Sequence, residues 1–136
     1  MPVPPASLTS YVRGLESTVG GGGTEVIVFR HVGDGNVHGN SHGNIRRPDW
    51  TGRVRRILDR TVELVTDPGS TLSGERGDGR IWAPFHGRVF GDTVARACRT
   101  VKAMLDPEGV SKPGVIVPLE GQDPRFGLTA HQSTAR

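Results

Sequence analysis

The chain has 136 residues, of which 34% are apolar, 20 are glycine and 10 are proline, so it fits one domain with a moderate core and is expected to pack some apolar surface against something outside itself. Its formal net charge of +3 comes almost wholly from dispersed arginines, Lys102 and Lys112 being the only lysines, and with few aromatics between them this argues against a nucleic-acid partner. Cys98 is the only cysteine, which excludes a disulfide framework and a thiolate cluster; the start, M-P-V-P-P, lacks the basic and apolar regions of a signal peptide, and no stretch approaches the about 18 apolar residues of a membrane span, so a cytoplasmic setting is expected.

Pro4 and Pro5 lead into a helical pattern with Ser7 as N-cap and Leu8, Tyr11, Val12, Leu15 and Val19 on one stripe. Gly20, Gly21, Gly22 and Gly23 break it, and residues 24–29 (TEVIVF) form the strongest strand pattern of the chain, running directly into His31. Asp34-Gly35 predicts a two-residue hairpin turn, because both central positions of that turn take positive φ. Centred there, the turn opposes Gly33 to Asn36, Val32 to Val37 and His31 to His38. Directly opposed residues have Cβ atoms about 5 Å apart on one face, so two imidazoles could converge on one ion at roughly 2.0–2.1 Å. Alternation places Asn40 and His42 on the same face as His38.

Asp49 predicts the N-cap of a second helix that buries Trp50, Val54, Ile57, Leu58, Thr61 and Val65 and turns Arg53, Arg56 and Arg60 to solvent. Asp67-Pro68-Gly69 ends it. A glycine-framed loop follows over residues 70–80. A third helix from about Asp92 is expected to bury Val94, Ala97, Cys98, Val101, Met104 and Leu105, which makes Cys98 a core residue rather than a reactive thiol. Residues 110–117 read as a short extended segment, and a polar tail follows from Pro118. The order helix, strand, strand, helix, helix predicts an α+β fold, an antiparallel sheet covered by helices; two strands are too few for an independent sheet, so the fold is expected to be incomplete alone.

A metal site built on His31 and His38 needs a carboxylate. Glu75 is one nominee, since Gly74, Gly77 and Gly79 allow its loop to approach another segment; Asp34, at the turn, is the rival, although its side chain more naturally bonds local backbone N–H groups. No glycine cluster forms a dinucleotide or phosphate loop, and no serine sits in a nucleophile elbow.

Three motifs in order, H-V-G-D-G-N-V-H over residues 31–38 with Asn40, L-S-G-E-R-G-D-G over 72–79 and L-D-P-E-G-V-S-K-P-G over 105–114, together closely resemble the C-terminal cap domain of FAD-linked oxidases. This family includes D-lactate, glycolate and D-2-hydroxyglutarate dehydrogenases. The resemblance implies a partial ferredoxin-like cap domain over residues 1–118, with 119–136 a polar, disordered tail. It implies that His31, His38 and Glu75 bind a divalent metal, commonly zinc in such relatives, that Asn40 lies beside a small 2-hydroxy acid substrate, and that hydride passes to FAD. Where many relatives have a histidine after the glutamate, this chain has Arg76, which stays protonated and so fits a grip on a substrate carboxylate rather than a general base. Near the end, Ser111-Lys112-Pro113-Gly114 stands where many relatives carry asparagine before the proline, and any contact of that asparagine is lost. The resemblance also implies that FAD is bound mainly by a flavin-binding domain or partner subunit. The chain therefore reads as a C-terminal fragment or subunit of an FAD-dependent 2-hydroxyacid oxidoreductase, inactive by itself. The alternative is a non-catalytic remnant or small metal-binding module.

Overall fold

A computed structural model describes residues 1–20, 25–31, 34–44, 46–67, 69–74 and 77–123. The elements run α1 (Leu8–Gly20), β1 (Glu25–His31), β2 (Asn36–His42), α2 (Trp50–Thr66), a short α3 (Gly79–Trp82) and α4 (His86–Leu105), with 3-10 turns at Pro5–Ser7 and Ala83–Phe85. The α+β arrangement expected from the sequence is present, and it is that of a partial cap domain. No helix among the described residues is long and apolar enough to cross a membrane.

The two amphipathic stripes form the core as their spacing dictates. Helix α1 buries Tyr11, Val12, Leu15 and Val19, and α2 buries Leu58, Thr61, Val62 and Val65. Their axes approach closely at Gly14, where an added Cβ would lie 2.7 Å from Leu64 Cδ2. Asp49 precedes α2 but makes no side-chain cap bond. Its carboxylate is taken instead by Arg47 and Arg53, each at 2.9 Å, and their hydrogen bonds hold it well below the usual carboxylate range. Arg55 and Arg60 likewise pair with Asp59 and Glu63, so the arginine face of α2 is a solvated, charge-paired surface.

Strands β1 and β2 are antiparallel, but their register differs from the one predicted. His31 pairs with Asn36 and Phe29 with His38, which leaves four residues, 32–35, between the strands. Asp34 is not among the residues with positive φ, whereas Gly35 is, at 63°, so the two-residue turn that would oppose His31 to His38 does not form. The N-terminus reinforces this register. Val3 N–H donates to Gly35 O and Val37 N–H to Met1 O, both at 2.9 Å, and Pro2 bridges to Asn36. Met1–Val3 thus runs along the start of β2, joined to it by one isolated bridge and two backbone hydrogen bonds.

Two further expectations are overturned. The apolar face of α4 is amphipathic as predicted but not buried: Val94, Val101, Met104 and Leu105 are 46%, 55%, 75% and 82% exposed. No described element covers that face, and the core reaches only the Ala83–Phe85 turn and the first helical turn of α4. Gly91, at φ 79° and ψ 163°, breaks the helix immediately before the predicted start at Asp92. Residues 110–117 form bends and turns rather than an extended segment, with Lys112, Gly114 and Ile116 all at positive φ. In the third motif Asp106 accepts hydrogen bonds from Val110 N–H and Ser111 N–H at 3.0 Å and from Lys102 Nζ. Within the predicted tail, Gln122 Nε2 donates to Arg80 O at 3.1 Å and Gly114 O at 3.0 Å; residues 124–136, the rest of that tail, lie outside the described residues.

Candidate functional site

Side chains alternate along β2, so Val37 and His38 face opposite sides of the sheet. Val37 is 1% exposed in the core, which puts Asn36, His38 and Asn40 on the other face. The register carries position 31 of β1 to that same face. Position 31 therefore pairs with Asn36 and position 38 with Phe29, so the two histidine positions are not directly opposed; the side chain of His31 lies outside the described residues.

The N-terminal strand pairs with β2 only at Gly35–Val37. Farther along, β2 borders a cleft of about 480 Å³ whose walls include His38, Gly39 and Asn40 on one side and Leu72, Ser73, Gly74, Gly77 and Asp78 on the other. Leu72, only 2% exposed, anchors the loop in the core. Gly74 is where the loop comes closest: a Cβ there would meet Pro2 Cδ at 3.0 Å and Asn36 Oδ1 at 3.5 Å. Gly77 and Gly79 serve a different purpose, since both take positive φ and neither has a neighbour where a Cβ would be. Asn36, 7% exposed, accepts a hydrogen bond from the Met1 amine at 2.6 Å, tying the N-terminal strand to the cleft.

Of the residues proposed from sequence, the structure brings His38 and Asn40 to this cleft, while the side chain of His31 lies outside the described residues. Glu75 and Arg76 lie outside the described residues; Gly74 and Gly77, which flank them, both line the cleft. Among the described residues no group of three His, Cys, Asp or Glu side chains is close enough to hold a metal ion. Strand β2 and the loop that begins at Leu72 meet at this one cleft.

One pair at the site escaped the sequence reading. His86 Nε2 lies 2.7 Å from Asp78 Oδ2, with the two side chains 7% and 9% exposed. Phe90 stacks edge-on to the imidazole at 5.3 Å between ring centroids. The other carboxylate oxygen, Asp78 Oδ1, is buried with no hydrogen-bond partner among the described residues, a state that costs about 1–3 kcal/mol for a polar atom and more for a charged one. A signal was available: His86 directly follows the apolar run Ile81–Phe85, and a buried histidine there requires a polar partner.

The fold and the site together define an α+β cap-type domain, one sheet face on helices and the other presenting His38 and Asn40 beside a glycine-rich loop. Residues 1–116 match the family of FAD linked oxidases, C-terminal domain. The chain is 28% identical over 112 residues to a glycolate oxidase subunit GlcD of Bacillus subtilis, covering 82% of this chain and 24% of that protein. It is 31% identical over 121 residues to a D-2-hydroxyglutarate dehydrogenase of Escherichia coli, covering 89% and 12%. It is 29% identical over 115 residues to a D-lactate dehydrogenase of Archaeoglobus fulgidus, covering 85% and 25%. The chain belongs to the FAD-linked oxidase C-terminal domain family, and it spans between 12% and 25% of the length of these relatives.

Proposed function

We propose that this chain forms the substrate side of an FAD-dependent oxidoreductase acting on a small 2-hydroxy acid of the D-lactate or glycolate type. The observation that carries this reading is the cleft itself, where the strand bearing His38 and Asn40 meets the loop that flanks Glu75. His31, His38 and Glu75 would hold a divalent metal, zinc being suited to that donor set. Bound there, the cation would act as a Lewis acid on the substrate's hydroxyl and carboxylate oxygens. Asn40, exposed at the cleft wall, is placed to hydrogen-bond a substrate oxygen. Arg76 is assigned the substrate carboxylate, for which its planar guanidinium is matched.

The residues described do not fit FAD. The only sheet among them is a two-stranded antiparallel one, with no strand, glycine turn and helix arranged to cradle a pyrophosphate. The flavin is therefore assigned to a flavin-binding domain or subunit supplied from elsewhere, in line with the small share of each relative that this chain covers. Arg76 supports a second reading, a metal-binding module or remnant without redox activity, because arginine is no general base.

Co-expression with a flavin-binding domain from a related oxidase separates the two. The oxidoreductase reading predicts a copurifying complex that carries FAD and reduces it with D-lactate or glycolate, and loss of that reduction in Asn40→Ala. A complex that carries FAD but is reduced by neither acid supports the module.

A further inference from the structure

We propose that Trp82 is a specificity-determining residue of this cleft, and that the 2-hydroxy acid it favours carries an apolar substituent larger than the methyl group of lactate; the inference rests on the substrate-cleft reading above. The two walls of the cleft differ in kind. Strand β2 supplies His38 and Asn40, and the segment from Leu72 onward supplies Asp78 and Trp82. Asn40 is exposed and brings an amide that donates to carboxylate or hydroxyl oxygens. On the facing wall Leu72 is sealed at 2% exposure while Trp82 stays half-buried, so the indole is the apolar surface that this wall offers a ligand. Asp78 precedes α3 and Trp82 closes it one turn later, which puts both on the same side of that short helix. An acidic side chain beside the indole turns a ligand's carboxylate away from this wall and towards β2, leaving the indole to the ligand's substituent. The ring is held in place: it packs on the core and lies tilted at 55° to Phe85, with 6.1 Å between centroids, so contact with it costs a ligand little ordering of the protein. The size of the cleft agrees. Its volume of about 480 Å³ falls within the range of about 300–1,000 Å³ typical of pockets for molecules much larger than a two- or three-carbon acid.

The test is a ¹H–¹⁵N NMR titration of the full chain with glycolate, D-lactate and D-2-hydroxy-4-methylpentanoate, comparing wild type with Trp82→Ala and Asn40→Ala. The signals read are the indole N–H of Trp82 and the backbone amide of Gly39; Trp50→Phe assigns the former, since the chain has two tryptophans. The larger substituent against an apolar wall predicts binding about 10-fold tighter for the branched acid than for D-lactate, with the Trp82 indole shifted by it. Trp82→Ala is expected to bring the two acids within about twofold of each other, and Asn40→Ala to weaken both alike. Spectral dispersion reports folding; if Trp82→Ala does not fold, the wild-type comparison of the two acids and the shift of the Trp82 indole carry the test. Equal affinity for the two acids in wild type, with both weakened by Asn40→Ala, would overturn the role of Trp82 while leaving the substrate cleft intact, and so would a preference that survives in Trp82→Ala. No shift at Gly39 with any of the acids would overturn both.

Discussion

Gly35→Ala tests the turn on which the histidine strand depends. Gly35 is buried at φ 63°, and an added Cβ would overlap the Val3 carbonyl oxygen. Holding alanine in the left-handed region costs about 1–2 kcal/mol. The overlap is with backbone, so it can be relieved only by moving the N-terminal strand, which breaks the 2.9 Å bond from Val3 N–H to Gly35 O at a further net loss of about 0.5–1.5 kcal/mol. The expected destabilisation is about 1.5–3.5 kcal/mol in all. Gly69→Ala is the control, because Gly69 has nearly the same φ, 69°, with nothing within 4 Å of the added carbon. Both substitutions reduce the freedom of the unfolded chain equally, by about 0.4–1 kcal/mol, so the difference between them isolates the contact with Val3. Urea denaturation of the three proteins measures it. Equal stabilities for the two variants, or Gly35→Ala within about 0.5 kcal/mol of wild type, would refute the docking of Met1–Val3 on β2.

Tyr11 is the only tyrosine, and burial pushes its hydroxyl up to about 12; tyrosinate absorbance in the native protein is expected to rise only near that pH, against about 10 after denaturation. Because the folded value is the higher one, the contribution of Tyr11 to stability is complete below pH ~10 and is lost as the pH rises towards 12, by about 2–3 kcal/mol. Leu72→Ala is expected to cost about 2–5 kcal/mol in urea denaturation and to weaken cation binding as well, since Leu72 anchors the loop that borders the cleft. The hydrogen bond from Lys102 holds the Asp106 carboxyl below its ordinary value, so stability is expected to fall as the pH drops below ~4, and Asp106→Asn should flatten that acid limb of a denaturation-versus-pH series.

The helices were legible because their apolar spacing depends on the local chain alone: Tyr11, Val12, Leu15 and Val19 face the core as their periodicity requires. The strands were legible for the same reason, but their register was not. It depends on Asp34 keeping negative φ and on Met1–Val3 pairing with β2, a contact between segments more than 30 residues apart in sequence. A shift of two residues keeps the alternation of a strand in phase, which is why His38 and Asn40 still face the cleft as the pattern predicts. On α4 the pattern was read correctly and its burial was not, because periodicity reports which face is apolar and is silent on whether anything in the chain covers it. Asp78 and His86 were missed because the segment that joins them, the short α3 followed by the Ala83–Phe85 3-10 turn, was not anticipated from the sequence.

The metal-assisted site is tested most directly by titrating the full chain with Zn²⁺ beside His31→Ala, His38→Ala and Glu75→Ala. The account predicts one site in the wild type and a loss of affinity in each of the three variants. Unchanged binding in Glu75→Ala and His38→Ala would contradict it.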